Sequence, residues 1–228
     1  MTLTEDARLT KETIRRLRAM VFHKEHIKKS SITAKVLVLL YPDKNYDIQK
    51  IEESLRLKEI GQKGTIFNLL DRKLISSKGN DDAKSYFLTQ KGRWFAICHT
   101  LNLSFLGLCA LADAYGMQGR LEKGNLVGFY VYPRFAEIFE GIYSQENLRF
   151  AFEQLKTKKM AARYSKKSLR IMPRIFSDLK RHYHDDLEEL QKWITQIPSR
   201  RENILAQDQK LRQDINKSKR ILSKFSQV

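Results

Sequence analysis

Two stretches decide the fold: "IEESLRLKEIGQKGTIFNLL", Ile51 to Leu70, and "LISSKGNDDAKSYFLTQKG", Leu74 to Gly92. In the first, Ile51 and Leu55 extend an apolar spacing begun at Ile48, and Asp47 offers an N-cap. A break over Leu57–Gly61 leads into another helix from about Gln62 to Lys73. In the second, Leu74–Lys78 and Lys84–Thr89 are strand-like around the turn Gly79-Asn80-Asp81-Asp82, which predicts a hairpin. Thr89 can cap a helix from Gln90 to about Leu101. Upstream, Ser30-Ser31 can cap the apolar segment Ile32–Tyr41, which Pro42-Asp43 ends.

The order helix, helix, helix, hairpin over residues 31–89 resembles a winged helix-turn-helix. Tyr86-x-Leu88-Thr89-x-x-Gly92 is similar to a pattern of MarR-like and PadR-like regulators, and Gly64–Leu70 resembles PadR sequences. The resemblance implies sequence-specific duplex DNA binding by a homodimeric transcriptional regulator, with the third helix in the major groove and the hairpin on an adjacent groove or phosphate. Projected at 100° per residue, Ile66, Leu69 and Leu70 form the core face, Asn68, Asp71 and Arg72 point away, and Lys63, Thr65 and Phe67 flank them. The expected groove contacts are therefore Lys63, Thr65, Asn68 and Arg72, with Lys78 and Lys84 from the hairpin. Asn matches adenine and Arg matches guanine. Asp81 and Asp82 at the hairpin tip oppose DNA.

Alternatives remain. Ile60–Ile66 also looks like the Gly-x-x-Gly loop of KH domains, which clamps single-stranded RNA or DNA. Winged helices also serve as protein-docking scaffolds in nucleic-acid complexes, so fold alone does not fix function.

Charge supports a polyanionic partner. The chain carries 43 Lys+Arg against 26 Asp+Glu, net +17. The balance is +4 over residues 1–30, +4 over 31–101, −1 over 102–150 and +10 over 151–228. These shifts suggest a basic N-terminal helix (1–30), a winged-helix domain (31–101) and a helical, basic C-terminal region (102–228) for dimerisation, nucleic-acid contact or both. The expected class is mainly α with one small hairpin. From Lys156 to Arg174 eight cations stand without an acid. In a helix expected from Glu146 to about Arg170, Lys158, Lys159, Arg163, Lys166, Lys167 and Arg170 read as a phosphate-tracking surface. No internal repeat is visible.

Trp94–Ala112 holds nineteen residues without Asp, Glu, Lys or Arg, long enough for a membrane span. His99, Asn102 and Ser104 lower its hydropathy, and a buried core or dimerisation helix within 94–115 is the expectation. The charged N-terminus does not read as a secretory leader, so a cytoplasmic location is expected. Cys98 and Cys109 alone cannot build a zinc site, and His23, His26, His182 and His184 read as polar surface. Without a phosphate loop, dinucleotide glycine motif or nucleophile elbow, no enzyme, cofactor or metal is expected.

Overall fold

The computed structural model describes residues 11–22, 27, 31–56, 62–80, 84–117, 120–122 and 125–225; for 62, 63, 120–122, 125 and 220–225 it describes the backbone alone. The fold is mostly helical. After α1 (Lys11–Met20), Ser31 caps α2 (Ile32–Leu40) by accepting from the Ala34 amide at 3.2 Å. Tyr46 then exchanges backbone hydrogen bonds with Tyr86 (3.2 and 2.8 Å). Asp47 caps α3 (Ile48–Leu55), its Oδ1 accepting from the Lys50 amide at 2.7 Å. Next comes α4 (Gln62–Asp71), which ends where Lys73 turns left-handed (φ 55°). There the Lys73 and Leu74 amides donate back to Leu70 and Leu69 at 2.8 and 2.9 Å. Strands β1 (Ile75–Lys78) and β2 (Ser85–Leu88) pair antiparallel, Ile75 opposite Leu88, and α5 (Gln90–Leu101) follows.

The Tyr-x-Leu-Thr-x-x-Gly pattern is a corner. Tyr86 and Leu88 are buried. Thr89 Oγ1 accepts from the Gly92 amide at 3.1 Å and donates to the Lys73 carbonyl at 2.7 Å. A Cβ on Gly92 would sit 1.8 Å from the Leu74 carbonyl oxygen, so only glycine lets the first turn of α5 approach the Leu74 backbone this closely.

The second half departs from an all-helical expectation. Ser104 caps α6 (Phe105–Gly116). Strands β3 (Arg120–Glu122) and β4 (Asn125–Val127) pair antiparallel. Then come β5 (Phe129–Val131), α7 (Tyr132–Ile138) and α8 (Gln145–Thr157). The helix expected to reach Arg170 stops at Thr157, because Lys159 turns left-handed (φ 55°). The basic run instead enters a hairpin, β6 (Ala161–Ser165) and β7 (Ser168–Ile171), and β5 joins it in the order β5-β7-β6. Leu169 and Ile171 point inward from β7 with a period of two, and on β6 only Ala161, opposite Ile171, is buried. Two long helices follow, α9 (Pro173–Thr195) and α10 (Ile197–Phe225), with Pro198 in the first turn of α10. The order helix, extended pairing segment, helix, helix, hairpin, helix thus occurs over α2–α5, with the bridge at Tyr46 as its extended segment, and again over α6–α9, where the β3–β4 hairpin is inserted between α6 and β5.

Two apolar cores meet at α5. Phe95 and Ala96 face the first; Trp94, Ile97 and Cys98 face the second. Asn102 (φ 57°) ends α5, and α6 departs at 95° with Leu106 to Tyr115 all buried. This burial explains the charge-free stretch: of the two expectations for residues 94–115, buried core or dimerisation helix, it is the buried core that the structure shows. Among the described residues no single helix is long and apolar enough to cross a membrane; only the bent α5–α6 pair passes that test together. The buried Asp186 of α9 clasps the halves. It accepts from Arg93 at 2.6 and 3.0 Å and from Tyr41 Oη at 2.8 Å, while its carbonyl accepts from Trp94 Nε1 at 3.2 Å.

Candidate nucleic-acid interface

On α4, Ile66 and Leu69 are buried, and Phe67, Asn68 and Asp71 face outward. Phe67, placed on the flank by projection, is 66% exposed at the middle of the outward stripe. Thr65 is half-buried and lines a narrow apolar cleft with Ile32, Val36, Ile48 and Ile51, so it sits beside the stripe. Arg72 is half-buried at the helix end, where its carbonyl accepts from Lys91 Nζ at 2.9 Å. The side chain of Lys63 and all of Asp81 and Asp82 lie outside the described residues, as do His23 and His26. On the hairpin, Lys78 is exposed and Lys84 half-buried.

The basic run forms a second cluster. Lys158 and Lys159 are exposed at the end of α8, Arg163 on the edge strand β6, and Lys166 and Lys167 at the β6–β7 turn. Arg170 is half-buried on β7, opposite Ala162 and Phe129. Lys156 is paired with Glu153 at 2.7 Å. Three further residues belong to this surface. Phe150 on α8 is 61% exposed, Arg149 beside it is exposed, and Tyr164 packs edge-on against Phe129 with ring centroids 5.2 Å apart. Phe150 was legible: Leu148, Ala151, Phe152 and Leu155 form a complete apolar stripe that leaves it out.

Several titratable groups lie in the interior. Burial pushes the Cys98 and Cys109 thiols up, which keeps them protonated. Asp113, fully buried in α6, has Arg134 at 3.1 Å but makes no aligned hydrogen bond. Burial pushes its carboxyl up to about 6, against the pull of Arg134. His184 shares a 2.8 Å hydrogen bond with Tyr115 Oη. Among the described residues no three His, Cys, Asp or Glu side chains are grouped to hold a metal ion. Comparison with protein-family models, with curated proteins and with solved structures returns no match.

Proposed function

We propose that the chain is a sequence-specific duplex DNA-binding regulator, with a winged helix over residues 31–101. In this reading Tyr46 is the first strand of the wing sheet, α3 braces, α4 enters the major groove and β1–β2 is the wing. The observation that carries it is α4 itself. Its apolar side is consumed by the core, its outward stripe bears groups that read base edges, and the hairpin follows directly. Asn68 suits adenine, and Phe67 suits a thymine methyl. The exposed Lys158, Lys159, Lys166 and Lys167 add sequence-independent phosphate attraction. Against the KH reading, Gly64 lies inside α4 and not in a loop.

A second copy is proposed to pair along α10, where Leu211 (59%) and Ile215 (45%) are exposed. Leu211, Ile215, Ser218 and Leu222 follow heptad spacing, and parallel pairing brings Asp214 opposite Lys219 of the second copy.

The competing reading is protein docking through the same helix, favoured by the exposed Phe67 and Asp71. Selection from random duplex DNA at physiological salt separates the two. Asn68→Ala should reduce preference for the selected site by about 1–3 kcal/mol with folding intact. A parent chain that binds all duplexes alike would rule the DNA-reading role out.

A further inference from the structure

We propose that residues 104–172 form a second duplex reader, so that a single chain recognises a site of two unlike parts. This rests on the DNA-binding reading of α4 and extends it to α8.

The equivalence is visible junction by junction, with the β3–β4 hairpin as an insertion in the second unit. Ser31 and Ser104 cap the first helices. Tyr46 and Tyr130 each pair with the last strand of their hairpin, and the next helix starts two residues later, at Ile48 and Tyr132. Both third helices end in a left-handed lysine, Lys73 and Lys159. The same two backbone bonds close them: the Lys159 and Met160 amides donate to Lys156 and Leu155 at 2.8 and 3.0 Å, as Lys73 and Leu74 do to Leu70 and Leu69. Each hairpin begins two residues later, Ile75 opposite Leu88 in one and Ala161 opposite Ile171 in the other. One N-cap residue, Thr89 or Met172, then starts the closing helix.

Setting Lys159 on Lys73 aligns the third helices. Ile66 falls on Phe152 and Leu69 on Leu155, all four buried. Phe67 falls on Glu153 and Arg72 on Lys158, and in the same register Lys63 falls on Arg149 and Gly64 on Phe150. The outward stripe of α8 therefore carries Glu146, Arg149, Phe150, Glu153 and Thr157. Arg149 can take guanine, Phe150 a thymine methyl, and Glu146 can accept from the cytosine amino group.

Electrostatics point to duplex DNA as the occupant. The first hairpin turn contains Asp81 and Asp82, whereas the second is Ser165-Lys166-Lys167-Ser168, exposed and wholly cationic among its charged groups. Lys158, Lys159 and Arg163 continue that sign toward the end of α8. A groove-reading stripe beside a cationic hairpin fits a phosphate-flanked major groove.

The test is selection of duplex DNA by the full chain. The parent should enrich two unlike blocks at a fixed spacing, that pair of blocks occurring once for each protomer of the α10-paired dimer. Arg149→Ala with Phe150→Ala should lower preference in one block about tenfold and leave the other intact; both side chains are exposed, so melting should not move. Asn68→Ala should do the reverse. Lys166→Gln with Lys167→Gln should weaken binding to all duplexes and leave both blocks. A single block, or two inverted copies of one block, overturns the proposal. So does an Arg149/Phe150 variant that keeps both blocks, while an Asn68 effect alone would leave the α4 reading standing. No duplex preference in the parent removes both. Binding of the Lys166/Lys167 hairpin to phosphatidylserine vesicles in place of duplex would equally overturn it.

Discussion

Replacing Gly92 by alanine tests the corner that sets α4 against its hairpin. The added Cβ would lie 1.8 Å from the Leu74 carbonyl oxygen and 2.9 Å from the Leu74 carbonyl carbon. Both are backbone atoms, so no side chain can swing aside. Overpacking alone costs about 1–3 kcal/mol where neighbours can shift. Here the shift must also separate Thr89 from the Gly92 amide and from the Lys73 carbonyl. An N-cap is worth about 1 kcal/mol and a neutral hydrogen bond about the same. The expected loss is about 3–5 kcal/mol, a large share of the roughly 5–15 kcal/mol that holds a domain together. Gly64→Ala is the matched control: nothing lies within 4 Å of its Cβ, and it stands inside a helix. That change should stabilise by about 0.5–1 kcal/mol. Urea unfolding of the full chain, followed by circular dichroism and tryptophan fluorescence, measures both if the two probes coincide. A Gly92→Ala chain within 1 kcal/mol of the parent would refute the reasoning, because it would mean that the corner opens at almost no cost.

Three further outcomes follow from the structure. Changing Lys158, Lys159, Lys166 and Lys167 together to Gln should lower the slope of log affinity against log salt by about 2–3, and parallel titrations would show that the run does not touch phosphate. Asp113 keeps its proton in the folded chain up to about pH 6 and releases it near 3.8 when unfolded. Stability should therefore be greatest below about pH 4 from this group and fall by about 3 kcal/mol as pH rises to 6. Asp113→Asn should flatten that window, and an unchanged pH profile would reject the assignment. Leu211→Lys with Ile215→Lys should leave the fold intact and abolish self-association in sedimentation; a parent that is monomeric at all concentrations removes the α10 pairing.

The first unit was readable because its punctuation is conventional. Ser31, Asp47 and Thr89 are good N-caps, Pro42 stops a helix, and Gly79-Asn80 marks a turn. The core face of α4 followed from spacing, though projection alone did not show Phe67 at the centre of its outer face or Thr65 turned toward the α2–α3 cleft. The second unit uses the same geometry with residues that do not announce it. Val131 and Met172 occupy N-cap positions without side-chain bonds, β5 is three residues long, and the break after α8 falls on a lysine. Lys and Arg are good helix formers, and left-handed backbone at a non-glycine residue leaves no compositional trace, so the basic run reads as a continued helix. The repeat is invisible to composition because it is a repeat of helix endings and strand pairings, not of residue types.

The clasp at Asp186 has a consequence for any long ligand that spans both units. With α5 common to the two cores and Arg93, Tyr41 and Trp94 anchored on one residue of α9, no flexible tether separates them. Once one unit is seated, the other is already held at a high effective concentration over a neighbouring stretch of ligand, with little orientational entropy left to lose. The same stiffness removes tolerance. Inserting one base pair between two recognised stretches would move them about 3.4 Å apart and rotate them by roughly a tenth of a turn. A loop-linked pair could absorb that displacement, whereas two units fixed on a shared α5 would, on the proposed reading, act as a caliper with its jaws set.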